Sequence, residues 1–147
     1  TLGFSIRQMG TEVAGGFSDW TAAIDFDPET RLGQVTVTIN MASVTIGTVT
    51  DQAKGPEFFD VARHPVAVFT AGIRPEGAGH VAQGSLSLKG RDAPVTLPFT
   101  LSIADGVATM AGETTLDRRT WTIGEGYGDE TSIGFPVQLT VRLTATR

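Results

Sequence analysis

Between residues 133 and 145 the chain alternates without a slip. Ile133, Phe135, Val137, Leu139, Val141, Leu143 and Ala145 fall on one face, and Ser132, Gly134, Gln138, Thr140, Arg142 and Thr144 on the other. Period two is the spacing of a β-strand that sets one face against an apolar interior and the other against water. A helix would scatter the same residues around its axis. The pattern recurs along the chain. Leu2, Phe4 and Ile6 alternate with Gly3, Ser5 and Arg7. Val35, Val37, Ile39 and Met41 alternate with Gln34, Thr36, Thr38 and Asn40. Val95, Leu97, Phe99, Leu101 and Ile103 alternate with Thr96, Pro98, Thr100 and Ser102. Residues 13–26, 66–73, 81–88 and 107–116 read as strands too. That makes about eight strands, with no helical pattern long enough for a βαβ crossover. The expected fold class is all-β: an antiparallel sheet wrapped around an apolar interior, either a barrel or a sandwich.

The segments between strands agree. Gly15-Gly16 predicts a bulge or strong bend inside residues 13–26, and Trp20, Ala22, Ile24 and Phe26 share one face beyond it. Asp27-Pro28-Glu29-Thr30, the stretch 75–79, and Gly90-Arg91-Asp92 read as turns, and Asp105-Gly106 as a tight hairpin. Pro98 lacks a ladder donor and predicts an edge or bulge. Residues 42–50 read as a strand end or loop. One short helical segment is expected from Asp51 to Phe59, with Asp51 as its N-cap and Gly55-Pro56 limiting it to one or two turns. His64-Pro65 closes that region. Residues 118–130 read as a Gly-rich loop around Trp121 and Tyr127. Thr1 already stands in mid-strand pattern, so the chain is expected to be an excised piece of something longer.

Several chemistries are excluded or disfavoured. The 147 residues are expected to form a single domain, 1–147. A net charge of −5 with no basic block argues against nucleic acid and against an anionic membrane surface. The absence of cysteine removes disulfides, thiolate metal sites and a Cys nucleophile. The run Gly124-Glu125-Gly126-Tyr127-Gly128-Asp129 precedes a strand instead of a helix, and its glycine spacing is not that of a phosphate loop. His64 and His80 read as solvent-exposed turn residues, with a hydrogen bond between Asp60 and the His64 region. Two histidines do not make a metal site. Gly-x-Ser-x-Gly does not occur, and most carboxylates fall in turns. No catalytic or metal-ligating residue is expected, and the chain does not read as an enzyme.

What remains is apolar. Phe4, Phe17, Trp20, Phe26, Phe58, Phe59, Phe69, Phe99, Trp121 and Phe135, with Met41, Leu86 and Leu88, recur on the apolar faces. In a sandwich they are core. In an eight-stranded barrel they either pack the interior or hold one elongated ligand, and periodicity does not separate the two. Arg118 and Arg119 are adjacent, so on a strand one of them would face inward, where it suits a phosphate or quinone carbonyl. Arg7 is a weaker candidate of the same kind. The bland reading of all three is surface charge.

Four blocks then carry a resemblance. They are Phe4-Ser5-Ile6 with Gly15-Gly16-Phe17 and Ile24-Asp25-Phe26-Asp27-Pro28; Phe58-Phe59-Asp60-Val61 with His64-Pro65 and Phe69; Gly84-Ser85-Leu86-Ser87-Leu88-Lys89-Gly90 with Pro94-Val95-Thr96-Leu97; and Leu116-Asp117-Arg118 with Trp121 and Gly124. In this order, over nearly the whole chain, they resemble the YceI-like family, the lipocalin-like polyisoprenoid-binding proteins of bacteria. The resemblance implies an extended antiparallel eight-stranded lipocalin-like β-barrel with a hydrophobic tunnel. It implies a periplasmic or secreted carrier of a polyprenyl lipid or an isoprenoid quinone. Asp51-Gln52-Ala53-Lys54-Gly55-Pro56 departs from the family's charged element there, and Thr120-Trp121-Thr122 replaces its Asp-Phe-Gly. The loop and closing strand resemble the subgroup fused to a di-haem cytochrome b membrane domain, which implies a membrane cytochrome partner. The expected function is binding, sequestration or transport of the isoprenoid. The alternatives are a quinone-linked electron-transfer accessory and a packed β-sandwich used for protein contact, and a homodimer is left open.

Overall fold

The alternation sorts into ten strands among the described residues of the computed structural model, which are 2–8, 11–27, 29–46, 50–55, 58–77, 79–121, 123 and 136–146. The strands are β1 (Leu2–Gln8), β2 (Thr11–Phe17), β3 (Trp20–Asp27), β4 (Leu32–Asn40), β5 (Val44–Ile46), β6 (Val66–Glu76), β7 (Gly79–Leu88), β8 (Arg91–Ala104), β9 (Val107–Asp117) and β10 (Pro136–Thr146). They form one antiparallel sheet in the order β3-β4-β6-β7-β8-β9-β10-β1-β2-β5.

The expected count of eight is corrected to ten. Residues 13–26 break at Ser18-Asp19 into β2 and β3, and Val44–Ile46 adds a short strand. Both changes have one cause. The paths β2–β3 and β4–β5 run side by side as one interrupted ladder. Between the pairs Phe17–Val44 and Trp20–Ile39, two residues on one path (Ser18, Asp19) face four on the other (Asn40, Met41, Ala42, Ser43). The surplus is taken up by a 3-10 turn, Met41–Ser43, whose N-cap Asn40 accepts the Ala42 N–H at 3.1 Å. The bend therefore falls at Ser18-Asp19 and not at Gly15-Gly16, which stay in register with Ile46 and Thr45. Gly15 serves close packing instead: a Cβ there would lie 2.7 Å from the Phe4 ring and 2.8 Å from Thr45 O.

This ladder also explains the curl. β3 stands at one end of the sheet order and β2 next to the other, yet two residues join them. Three extended steps span at most about 11 Å. The sheet must therefore return on itself, which gives a lipocalin-like half-barrel around one interior in place of two packed sheets.

The turns are local chemistry. Asp105 (φ 53°) and Gly106 (φ 77°) form the expected hairpin with both residues left-handed. The next hairpin turns on Lys89-Gly90 (φ 52° and 75°), while Arg91 and Asp92 already pair with Leu88 and Ser87. The expected helix is reduced to α1 (Thr50–Ala53), and Asp51 lies inside its first turn instead of capping it. Phe58 and Phe59 sit in turns whose N–H groups reach Gly55 O (3.1 Å) and Ala53 O (3.0 Å). Asp60 O accepts from the backbone N–H of His64 at 2.9 Å. Pro98 stands where the β8–β9 ladder, running from Phe99–Gly112 to Ala104–Val107, has stopped. There the Thr114 hydroxyl donates to Thr96 O at 3.1 Å in place of a backbone bond.

Candidate functional site

Inward faces of the curled sheet enclose a cavity of about 570 Å³. In β8 the alternation is plain: Ala93, Val95, Leu97 and Phe99 are buried, and Pro94, Thr96, Pro98 and Thr100 are exposed. In β6 the buried set is Ala67, Phe69, Ala71 and Ile73.

Each expected apolar residue in the described part borders this cavity. Phe4 and Phe17 come from β1 and β2, Trp20 and Phe26 from β3, and Met41 from the 3-10 turn. Phe58 and Phe59 reach in from the turns after α1, and Phe69, Leu86, Leu88 and Phe99 stand on β6, β7 and β8. Trp121 completes the set; Phe135 lies outside the described residues. Phe59 docks onto Phe4 (centroids 6.2 Å apart, edge-on) and Phe17 (5.9 Å), and Phe4 meets Phe17 at 5.6 Å. Such tilted contacts suit aromatic quadrupoles. Ile24 and Ile103 border the cavity yet stay 43% and 52% exposed, so they mark its mouth.

The arginines separate. Residues Arg118–Trp121 form a 3-10 turn, not a strand, so the opposite-face expectation is replaced by a period of three. Arg118 and Trp121 therefore share the buried side, at 3% exposure each, and both border the cavity. Arg118 Nη1 donates to Ile123 O (2.9 Å), and the Trp121 indole N–H to Leu86 O (3.1 Å). Arg119 is exposed and pairs with Asp117 at 2.6 Å. Its hydrogen bonds hold the Asp117 carboxyl below the ordinary carboxylate value. Arg7 is exposed on the outer face of β1, one position out of phase with Phe4 and Ile6.

One expectation fails clearly. His80 is not a solvated turn residue: it is 8% exposed, stacked on Phe99 (5.4 Å, 18°) and edge-on to Phe26 (5.5 Å). β7 starts two residues before Val81, so His80 falls in phase with inward Ala82 and Leu86. Extending that alternation backward was the available signal. Arg31, in the turn after β3, donates to His80 Nε2 (3.4 Å) and Gly79 O (2.7 Å). Burial, and then the Arg31 charge, push the His80 pKa down. Among the described residues no group of His, Asp and Glu side chains gathers as a metal site, and no helix is long and apolar enough to cross a membrane.

Comparison with known proteins agrees with this architecture. The family model of the YceI-like domain matches residues 1–145. The crystal structure of Burkholderia cenocepacia BcnA is 28% identical, with a TM-score of 0.92 over 99% of this chain and 95% of that one. The Campylobacter jejuni YceI protein is 21% identical, with a TM-score of 0.80 over 90% of this chain and 84% of that one, and shares the fold. No curated protein is detectably similar in sequence.

Proposed function

The chain belongs to the YceI-like domain family, and on that premise we propose that it is a carrier whose cavity holds a polyisoprenoid chain, an isoprenoid quinone among them. One observation carries the reading: the inward faces leave about 570 Å³ of apolar space unfilled. That volume lies within the roughly 300–1,000 Å³ of small-molecule sites. Its wall is aliphatic and aromatic, from Phe69 and Leu97 to Trp121 and Met41. Such a wall recognises a ligand by removing apolar area from water, at about 25 cal/mol per Å². A branched, flexible hydrocarbon needs little more.

The proposed work is binding and transfer, not catalysis. If a quinone is held, its redox chemistry is the quinone's, and the protein orients and shields it. The reading puts the protein in the periplasm or outside the cell, where an apolar chain has to cross water.

Native mass spectrometry before and after organic extraction, with the extract identified, tests it. A released prenyl lipid or quinone that rebinds to the extracted protein is the expected result. A clean mass unchanged by extraction and by added isoprenoid would overturn the carrier reading.

A further inference from the structure

We propose that Arg31 and His80 form a polar subsite at the cavity mouth, built to receive an acceptor oxygen, a carbonyl or a phosphate, at the end of an apolar chain. The inference rests on the carrier reading and adds the chemistry of the ligand's terminal group.

Strand direction supplies the first step. β3, β6 and β8 run the same way, because each is separated from the next by one antiparallel partner. The turns after them therefore share one end of the sheet. Among the exposed cavity residues, Ile103 and Gly106 lie at the turn after β8, and Ile24 lies in the second half of β3. Arg31 follows β3, and His80 is the second residue of β7. Mouth and polar pair thus lie at one end of the sheet, with Phe26 and Phe99 of the cavity wall between the imidazole and the cavity. Arg118 follows β9, which runs opposite to β8, and so stands at the far end with Ile123 O on its Nη1.

Hydrogen-bond inventory supplies the second step. Arg31 Nε can only donate, so the His80 Nε2 it reaches carries the lone pair. The proton of the neutral ring is then on Nδ1. That atom is buried and has no partner among the described residues. Arg31 makes no ion pair among them either. Neighbouring Asp27 is engaged by the Glu29 N–H at 2.9 Å. The pair therefore offers an N–H and a cation and no acceptor. A buried donor without a partner costs stability until an oxygen meets it. Phe26 and Phe99 both touch the imidazole and both border the cavity. The subsite therefore requires that a chain end in the cavity turn one of these two rings aside to meet Nδ1.

The experiment compares a prenyl ketone, a prenyl phosphate and a prenyl hydrocarbon of equal length on the delipidated protein. The wild type should bind the ketone or the phosphate about tenfold tighter than the hydrocarbon, the worth of one good hydrogen bond. His80→Phe keeps a flat ring against Phe99, and it and Arg31→Met should each abolish that preference with hydrocarbon affinity unchanged. Preference for ketone over phosphate assigns a carbonyl, and the reverse a phosphate. Equal affinity of the wild type for all three overturns the subsite and leaves the carrier reading standing; no binding of any overturns both. Should His80→Phe fail to fold, the ¹⁵N resonance of His80 Nδ1–H in the wild type decides. It should shift on adding the preferred oxygen ligand, and an unmoved signal overturns the subsite.

Discussion

The indole N–H of Trp121 donates to the carbonyl of Leu86 at 3.1 Å, across 35 residues of sequence. Both residues border the cavity and both are buried. The bond pins the 3-10 turn after β9 onto β7, where the ladder from β8 to β9 has ended. Replacing Trp121 by Phe keeps most of the apolar area and leaves the Leu86 carbonyl without that donor. Urea unfolding should show a loss of about 1–3 kcal/mol, the cost of a buried unsatisfied polar group.

Phe59 packs against all three apolar clusters of the interior. Phe59→Ala removes its ring from Phe4 and Phe17. The variant should lose about 3 kcal/mol, at the lower end of Phe-to-Ala costs because the ring is half-buried. Denaturant midpoints at unchanged slope would check this.

Ala82 borders the cavity at 2% exposure. Ala82→Phe would direct a ring into the empty space instead of into packed neighbours, so the usual overpacking cost of about 1–3 kcal/mol should be largely avoided. The expected outcome is a folded protein with near-normal melting temperature that no longer retains an isoprenoid in native mass spectra. Undiminished retention would falsify the assignment of this cavity as the binding site.

Acid should weaken the fold in two steps. The folded pKa of His80 lies below its ordinary value near 6.5, so the unfolded chain takes up the proton first. That contribution is complete above about pH 6.5 and declines as pH falls toward the folded pKa. Asp117, also depressed, holds its contribution above the ordinary carboxylate range and loses it below. Melting temperature should thus drop between pH 7 and 5, and drop less in His80→Phe. Parallel curves for the two proteins would refute the His80 component.

The pair Arg119–Asp117 is exposed. Arg119→Ala should change stability by no more than about 1 kcal/mol. Isoprenoid retention should stay intact, whereas Arg118→Ala, which empties a buried position in the wall, should lower both stability and retention.

Much of the wall was legible because alternation is a local property. A residue's parity within its strand sets its face, whatever the strand's neighbours are. Hence Phe4, Phe69, Leu86 and Phe99 could be assigned inward before any partner was known. The misreadings arose where parity gave out. Strand parity would send Arg118 and Arg119 to opposite faces, but a 3-10 turn puts Arg118 beside Trp121 and leaves Arg119 in water. The glycine next to His80 suggests a turn, although β7 begins at Gly79. The break at Ser18-Asp19 shows in the alternation only as a change of parity between Phe17 and Trp20, and its cause, a surplus of residues on the facing path from Asn40 to Ser43, lies elsewhere in the chain.

By itself the sequence determined that the chain is all-β, which faces are apolar, and where Asp105-Gly106 turns, since these follow from side-chain period and left-handed backbone preference within a few residues. Tertiary structure alone decided that the apolar faces enclose space instead of filling it. It also decided that the sheet returns on itself through Ser18-Asp19, and that Arg31 meets His80 across 49 residues. Those outcomes depend on register and on the summed volume of side chains brought together from distant strands, and neither quantity is written in any one stretch of the chain.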